Sequence, residues 1–187
     1  DRMHSRLSVA TTDAGGAGAA LGDFAPSEAL LVSDEEVADF ALAERAATEV
    51  SDSFGEGRRL TLIGESAGIR KEVTVTAYAG FPNAAVFGVS YVNTGDEALV
   101  ITGWRSNRYA LESAGVNEPA FWSYNGASYE SRPDWILPVE VGFDQANFQG
   151  MNATDYGGGT PVSDVWRRDE GVGVGHLETV PLEVSLP

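Results

Sequence analysis

Apolar and polar side chains alternate most regularly in the middle of the chain. From Arg58 to Ile63 the run RRLTLI places Leu60 and Leu62 on one face. From Glu72 to Tyr78 the alternation is strict, with Val73, Val75 and Ala77 on one side and Thr74, Thr76 and Tyr78 on the other. Phe87, Val89 and Tyr91 share a face between Val86 and Val92, and Ala98 to Trp104 reads as a further strand. Period-two patterns in β-branched and aromatic residues, broken by turns such as Gly80-Phe81-Pro82-Asn83 and Asn93-Thr94-Gly95-Asp96, mark strands joined by hairpins. These four segments predict an antiparallel meander.

Outside this block the pattern is less regular. Glu35 to Thr48 contains strong helix formers behind Asp34, which could cap a helix, but short strands with polar turns fit the same residues. Between Asn117 and Gln149 aromatic and turn residues mix without a period, as in decorated loops with short strands, where binding surfaces commonly sit. Strand character returns at Val162 to Trp166, Val172 to Val180 and Leu182 to Leu186. No fixed-period repeat and no linker divides the chain. The expectation is one all-β domain over residues 1–187, a large two-layer antiparallel β-sandwich of the supersandwich kind with at most one short helix.

Composition narrows the function. The chain has 187 residues, 43% of them hydrophobic, which is enough to build a core. Twenty-eight acidic residues against 12 basic ones give a net charge of −16, a field that repels nucleic acid. There is no cysteine, which removes disulfides, thiolate metal sites and cysteine nucleophiles. Only two histidines are present, so a histidine-based metal site is not expected. No apolar run reaches the roughly 18 residues of a membrane-spanning helix, so no membrane partner is expected. Gly157-Gly158-Gly159 lacks the lysine and spacing of a phosphate-binding loop. No cofactor is therefore expected.

One motif invites a catalytic reading. Gly64-Glu65-Ser66-Ala67-Gly68 matches G-x-S-x-G, and Asp155 or Asp164 and then His176 follow in the order used by serine hydrolases of the α/β type. That nucleophile elbow needs a helix after the serine. Here Ile69 to Tyr78 is β-branched and alternates with period two, so the motif falls in a hairpin. An esterase built on Ser66 is accordingly the weakest of the functional readings.

The segment from Gln149 to Glu178 carries denser chemistry. Asp155 and Tyr156 precede three glycines, which allow close approach of a ligand to backbone. Trp166 offers a flat apolar face of the sort that stacks on a sugar ring, and Arg167 and Arg168 offer forked donors. The competing structural reading makes the glycines a bend, Trp166 core, and the arginines partners of Asp164, Asp169 and Glu170.

The run GMNATDYGGGTPVSDVWRRDEGVGVGHLETVPLEVSLP resembles the N-terminal region of bacterial α-galactosidase-like enzymes of the melibiase kind, glycoside hydrolase family 36. Phe121-Trp122-Ser123-Tyr124, the stretch from Tyr129 to Trp135, and Val89 to Tyr109 add to the likeness, which covers roughly residues 57 to 187. The resemblance implies an N-terminal β-sandwich ahead of a (β/α)8 barrel that would begin after Pro187. It places both catalytic carboxylates of a retaining mechanism on that barrel. No catalytic residue is then expected within these 187 residues. What the resemblance leaves to them is to flank the pocket for an α-galactoside or related oligosaccharide, through Asp155, Tyr156, Trp166, Arg167 and Arg168, and to support contacts with the barrel or within a homo-oligomer. A free-standing carbohydrate-binding module is the alternative.

Overall fold

The computed structural model describes residues 1–10, 17–111, 121–124, 136–148, 162–168, 170–175, 177 and 183–186. Among them there is no helix, and the strands pair antiparallel throughout. The all-β expectation is met. The chain divides into two compact units, Asp1–Leu111 and Glu112–Pro187.

The first unit is a two-layer antiparallel sandwich. One layer holds β5 (Ala41–Asp52), β6 (Gly55–Ser66), β7 (Ile69–Tyr78) and β8 (Ala85–Asn93), in that spatial order. The other has the order β4 (Glu35–Val37), β3 (Ala29–Val32), β9 (Ile101–Arg105). A separate pair joins β1 (Ser8–Ala10) to β2 (Ala17–Ala20). The core lies where Leu30 of β3 meets Ile69 and Val73 of β7, with Met3 and Phe40 closing it. Phe40 is 0% exposed, and burying a side chain of that size is worth about 1.5–3 kcal/mol.

One open reading is settled and another changes. Glu35 to Thr48 forms strands rather than a helix. Ser33 and Asp34 have φ of 50° and 67°, the mirror-image turn that closes a two-residue hairpin between β3 and β4, so Asp34 caps nothing. β5 then pairs along its length with β6, and those interstrand bonds override its helix propensity. The expected meander is also corrected. β6, β7 and β8 are successive neighbours, but the next strand leaves the sheet. Thr94 and Gly95 donate their backbone N–H groups to Gly68 O at 2.8 and 3.1 Å, and the chain crosses to pair β9 with β3. The fourth place in the sheet belongs to β5, which precedes the block.

The outward face of β7 is less open than alternation implies. Tyr78 is buried because it lies against Gly57, where a Cβ would come within 2.9 Å of its ring. Its hydroxyl donates to Asp52 Oδ2 at 2.8 Å, and Phe54 tilts over it with ring centroids 5.5 Å apart. Asp52 Oδ1 also accepts from Phe54 N at 2.9 Å. These bonds, that from the Phe54 N–H foremost, hold the Asp52 carboxyl below its usual range, while the bond to Asp52 and burial push the Tyr78 phenol up.

The second unit contains a four-stranded sheet in the order β11 (Ile136–Val139), β10 (Phe121–Tyr124), β13 (Val162–Arg167), β14 (Glu170–Gly175). A separate pair joins β12 (Gln145–Phe148) to β15 (Glu183–Leu186).

Candidate functional site

The sheet of the second unit carries those candidate residues that lie among the described ones. Trp166 on β13 stands directly opposite Trp122 on β10, and opposed residues of an antiparallel pair share a face. The two indoles stack with centroids 6.5 Å apart and planes 25° from parallel, a pairing worth about 0.5–1.5 kcal/mol beyond burial. Both remain partly exposed.

On the other side of Trp166, β14 presents glycine at the paired position. Along β14, Gly175, Gly173 and Gly171 stand opposite Val162, Asp164 and Trp166. These glycines are exposed, whereas Val172 and Val174, pointing the other way, are half-buried. A Cβ at Gly171 would lie 2.7 Å from Trp166 Cβ, so glycine is what allows the indole its place. The outcome is a shelf: two stacked tryptophans bordered by bare backbone.

Arg167 follows Trp166 on the same strand and therefore leaves on the opposite face. Its guanidinium sits 5.0 Å from the centre of the Phe121 ring, and its Nε donates to Glu170 Oε1. Of the three acidic partners considered for the arginines, Glu170 is bonded to Arg167, and Asp169 lies outside the described residues. Asp164 instead accepts from Tyr124 N at 2.8 Å. Arg168 is exposed in the β13–β14 turn, with φ of 46°. Trp166, Arg167 and Arg168 thus occupy one face, the other face and the turn. Asp155 and Tyr156 lie outside the described residues, as does His176.

Ser66 ends β6, and Ala67 and Gly68, with φ of 49° and 73°, make a two-residue turn into β7. A strand follows the serine, so the elbow geometry is not formed. Gly64 has a packing role instead: a Cβ there would fall far inside van der Waals contact with Met3 Sδ and 2.9 Å from Ala41 O.

The first unit holds a buried polar cluster that sequence reasoning did not find. Lys71, the only lysine of the chain, is 0% exposed. Its Nζ lies 3.4 Å from the Glu28 carbonyl oxygen and 4.4 Å from the centre of the Phe40 ring. Burial pulls its pKa down, against the attraction of Glu28 and Asp39. Glu28, 6% exposed, accepts from Ser27 Oγ at 2.7 Å, and Ser27 also bonds Ser5. Tyr91 stands opposite Lys71 on β8; its buried hydroxyl has no partner among the described residues, and burial pushes its pKa up to about 12. Tyr109 is raised as well, by burial first. Beside the cluster a cleft of about 50 Å³ runs between Met3, Ser27 and Glu28 on one wall and Leu62, Val75 and Phe87 on the other. A water needs roughly 10–15 Å³ of such space, so a few waters fit there and a sugar does not. The lone lysine in a strand pattern was the available signal, since its parity with Val73 and Val75 puts it on the inward face.

Among the described residues no three acidic or histidine side chains converge to hold a metal ion. No family model matches the chain, and no curated protein is significantly similar to it.

Proposed function

We propose that this chain is the non-catalytic N-terminal β-sandwich region of an α-galactosidase-type glycoside hydrolase, flanking the sugar pocket of a (β/α)8 barrel. Its α-galactoside or related oligosaccharide contacts the Trp122–Trp166 shelf, and the remaining surfaces serve the barrel or a second copy. The observation that carries the reading is the shelf itself. A stacked, partly exposed tryptophan pair beside three side-chain-free positions is suited to the apolar face of a sugar ring. The all-β architecture and the wording of the segment around Trp166 support it further. Parity refines the roles: Trp166 stacks on the ring, while Arg167 works from the opposite face as a brace for Phe121 and Glu170.

The test is the coding sequence beyond Pro187. The proposal expects a strand–helix repeat with aspartates at strand ends. A frame that closes without one removes the accessory-domain reading. The same shelf also favours a free-standing carbohydrate-binding module, for which titration of residues 1–187 with melibiose and raffinose should change tryptophan fluorescence. No heat and no fluorescence change would count against sugar binding in either form.

A further inference from the structure

Asp164 shares a face of β13 with Trp166, two residues away and so about 6.6 Å along the strand. We propose that Asp164 is the hydroxyl-binding member of the shelf: the Trp166 indole takes the apolar face of a pyranose, and the Asp164 carboxylate holds two adjacent hydroxyls of that ring or the next. This rests on the sugar-binding reading above and names the group that would set its specificity.

Three observations carry it. First, Asp164 Oδ1 is fixed by Tyr124 N at 2.8 Å, which ties β10 to β13 and sets the plane of the carboxylate. Second, Oδ2 has no partner among the described residues. The cation nearest in sequence, Arg167, is turned to the other face and bonded to Glu170. Third, the position opposite Asp164 is Gly173, which is exposed. A Cβ there would stand 3.4 Å from Val162 Cγ1 and 3.9 Å from Asp164 Cβ, on the very surface a ring would occupy. An oriented carboxylate beside an aromatic plane offers charge-assisted bonds to hydroxyls and apolar contact to C–H groups within one ligand. A purely structural aspartate would need only Oδ1.

The experiment uses residues 1–187, with raffinose and melibiose titrated calorimetrically and by tryptophan fluorescence. Asp164→Asn keeps the acceptor toward Tyr124 N and removes the charge. It should weaken binding about tenfold or more with unchanged near-UV dichroism. Gly173→Ala leaves every polar group in place and should weaken binding by obstructing the shelf. Equal affinity of Asp164→Asn and wild type, with Trp166→Ala impaired, overturns the role of Asp164 and leaves the sugar reading standing. No binding by wild type overturns both. If Asp164→Asn loses near-UV signal, Gly173→Ala decides alone: undiminished affinity in that variant overturns the proposal.

Discussion

Gly64→Ala separates a structural from a catalytic reading of the G-x-S-x-G motif. The added methyl would fall inside contact with Met3 Sδ, 3.0 Å from Met3 Cγ and 2.9 Å from Ala41 O. The first two atoms belong to a flexible side chain, but the third is backbone of the neighbouring strand, so Met3 must leave and β5 must shift. Met3 is 6% exposed, and expelling a buried methionine forfeits about 1.5–3 kcal/mol. Loss of glycine freedom in the unfolded chain returns about 0.4–1 kcal/mol. The net expectation is a loss of about 0.5–2.5 kcal/mol, or a fall in Tm of roughly 2–12 °C for a unit of this size. Thermal unfolding followed by far-UV dichroism measures it, with Ser66→Ala within about 0.5 kcal/mol of wild type as control. The mechanism predicts coupling as well. In a Met3→Ala background, which alone costs about 2–5 kcal/mol, adding Gly64→Ala should cost under about 1 kcal/mol because the obstructing side chain is gone. Strict additivity of the two changes, or a neutral Gly64→Ala, refutes the packing argument.

Two further outcomes follow from the buried cluster. Lys71→Met should lower stability by about 2 kcal/mol or more, because it leaves the Glu28 carboxylate, 6% exposed, without the cation that attracts it. Unchanged stability in chemical denaturation would mean that relief of the lysine's desolvation outweighs that attraction. On the alkaline side, Tyr91 has a pKa near 12 folded against 10.0 for an ordinary tyrosine. Its contribution is therefore complete below pH 10 and disappears as pH rises to 12, on the order of 1–2 kcal/mol after allowance for its partial exposure. Lys71 acts with the opposite sign, since the cost of its buried ammonium fades as pH approaches 10.5. Stability measured from pH 9 to 12 should bend downward less in Tyr91→Phe than in wild type, and identical curves would contradict the assignment.

The strands of the central sheet were legible because Leu62, Val73, Val75, Val89 and Tyr91 pack on or into the core at alternate positions, although Leu60 and Phe87 of the same pattern are exposed and Thr76 and Tyr78 of the opposite one are buried. β5 was not legible. Its AERAAT core prefers a helix locally, and only pairing with β6 makes it a strand. Nor could alternation say which sheet a strand joins, and so the crossing of β9 to β3 was missed. The turn that initiates β4 uses Ser33-Asp34, which lacks the Asn-Gly signature of its type. The pairing of Trp122 with Trp166 depends on register between segments 44 positions apart, which no local pattern records.

Part of the shelf was nevertheless written in the chain. Once Val162 to Trp166 is read as a strand, parity alone sends Trp166 and Arg167 to opposite faces and joins Asp164 to Trp166. The run Gly171-Val172-Gly173-Val174-Gly175 does the same for β14, setting valines toward one side and bare backbone toward the other. Three glycines in six residues cost a sheet conformational entropy, and of the three Gly171 has a packing reason, the room it leaves for Trp166. Their confinement to the face that carries Trp166 and Asp164, and their exposure there, is the pattern of a surface kept clear. A Cβ at Gly57, Gly64 or Gly171 would come within 3 Å of Tyr78, Met3 or Trp166, whereas at Gly173 it would meet only ordinary contacts, the nearest 3.4 Å away. That contrast is what the proposed contact of a sugar with Gly173 relies on, and the Gly173→Ala titration tests it.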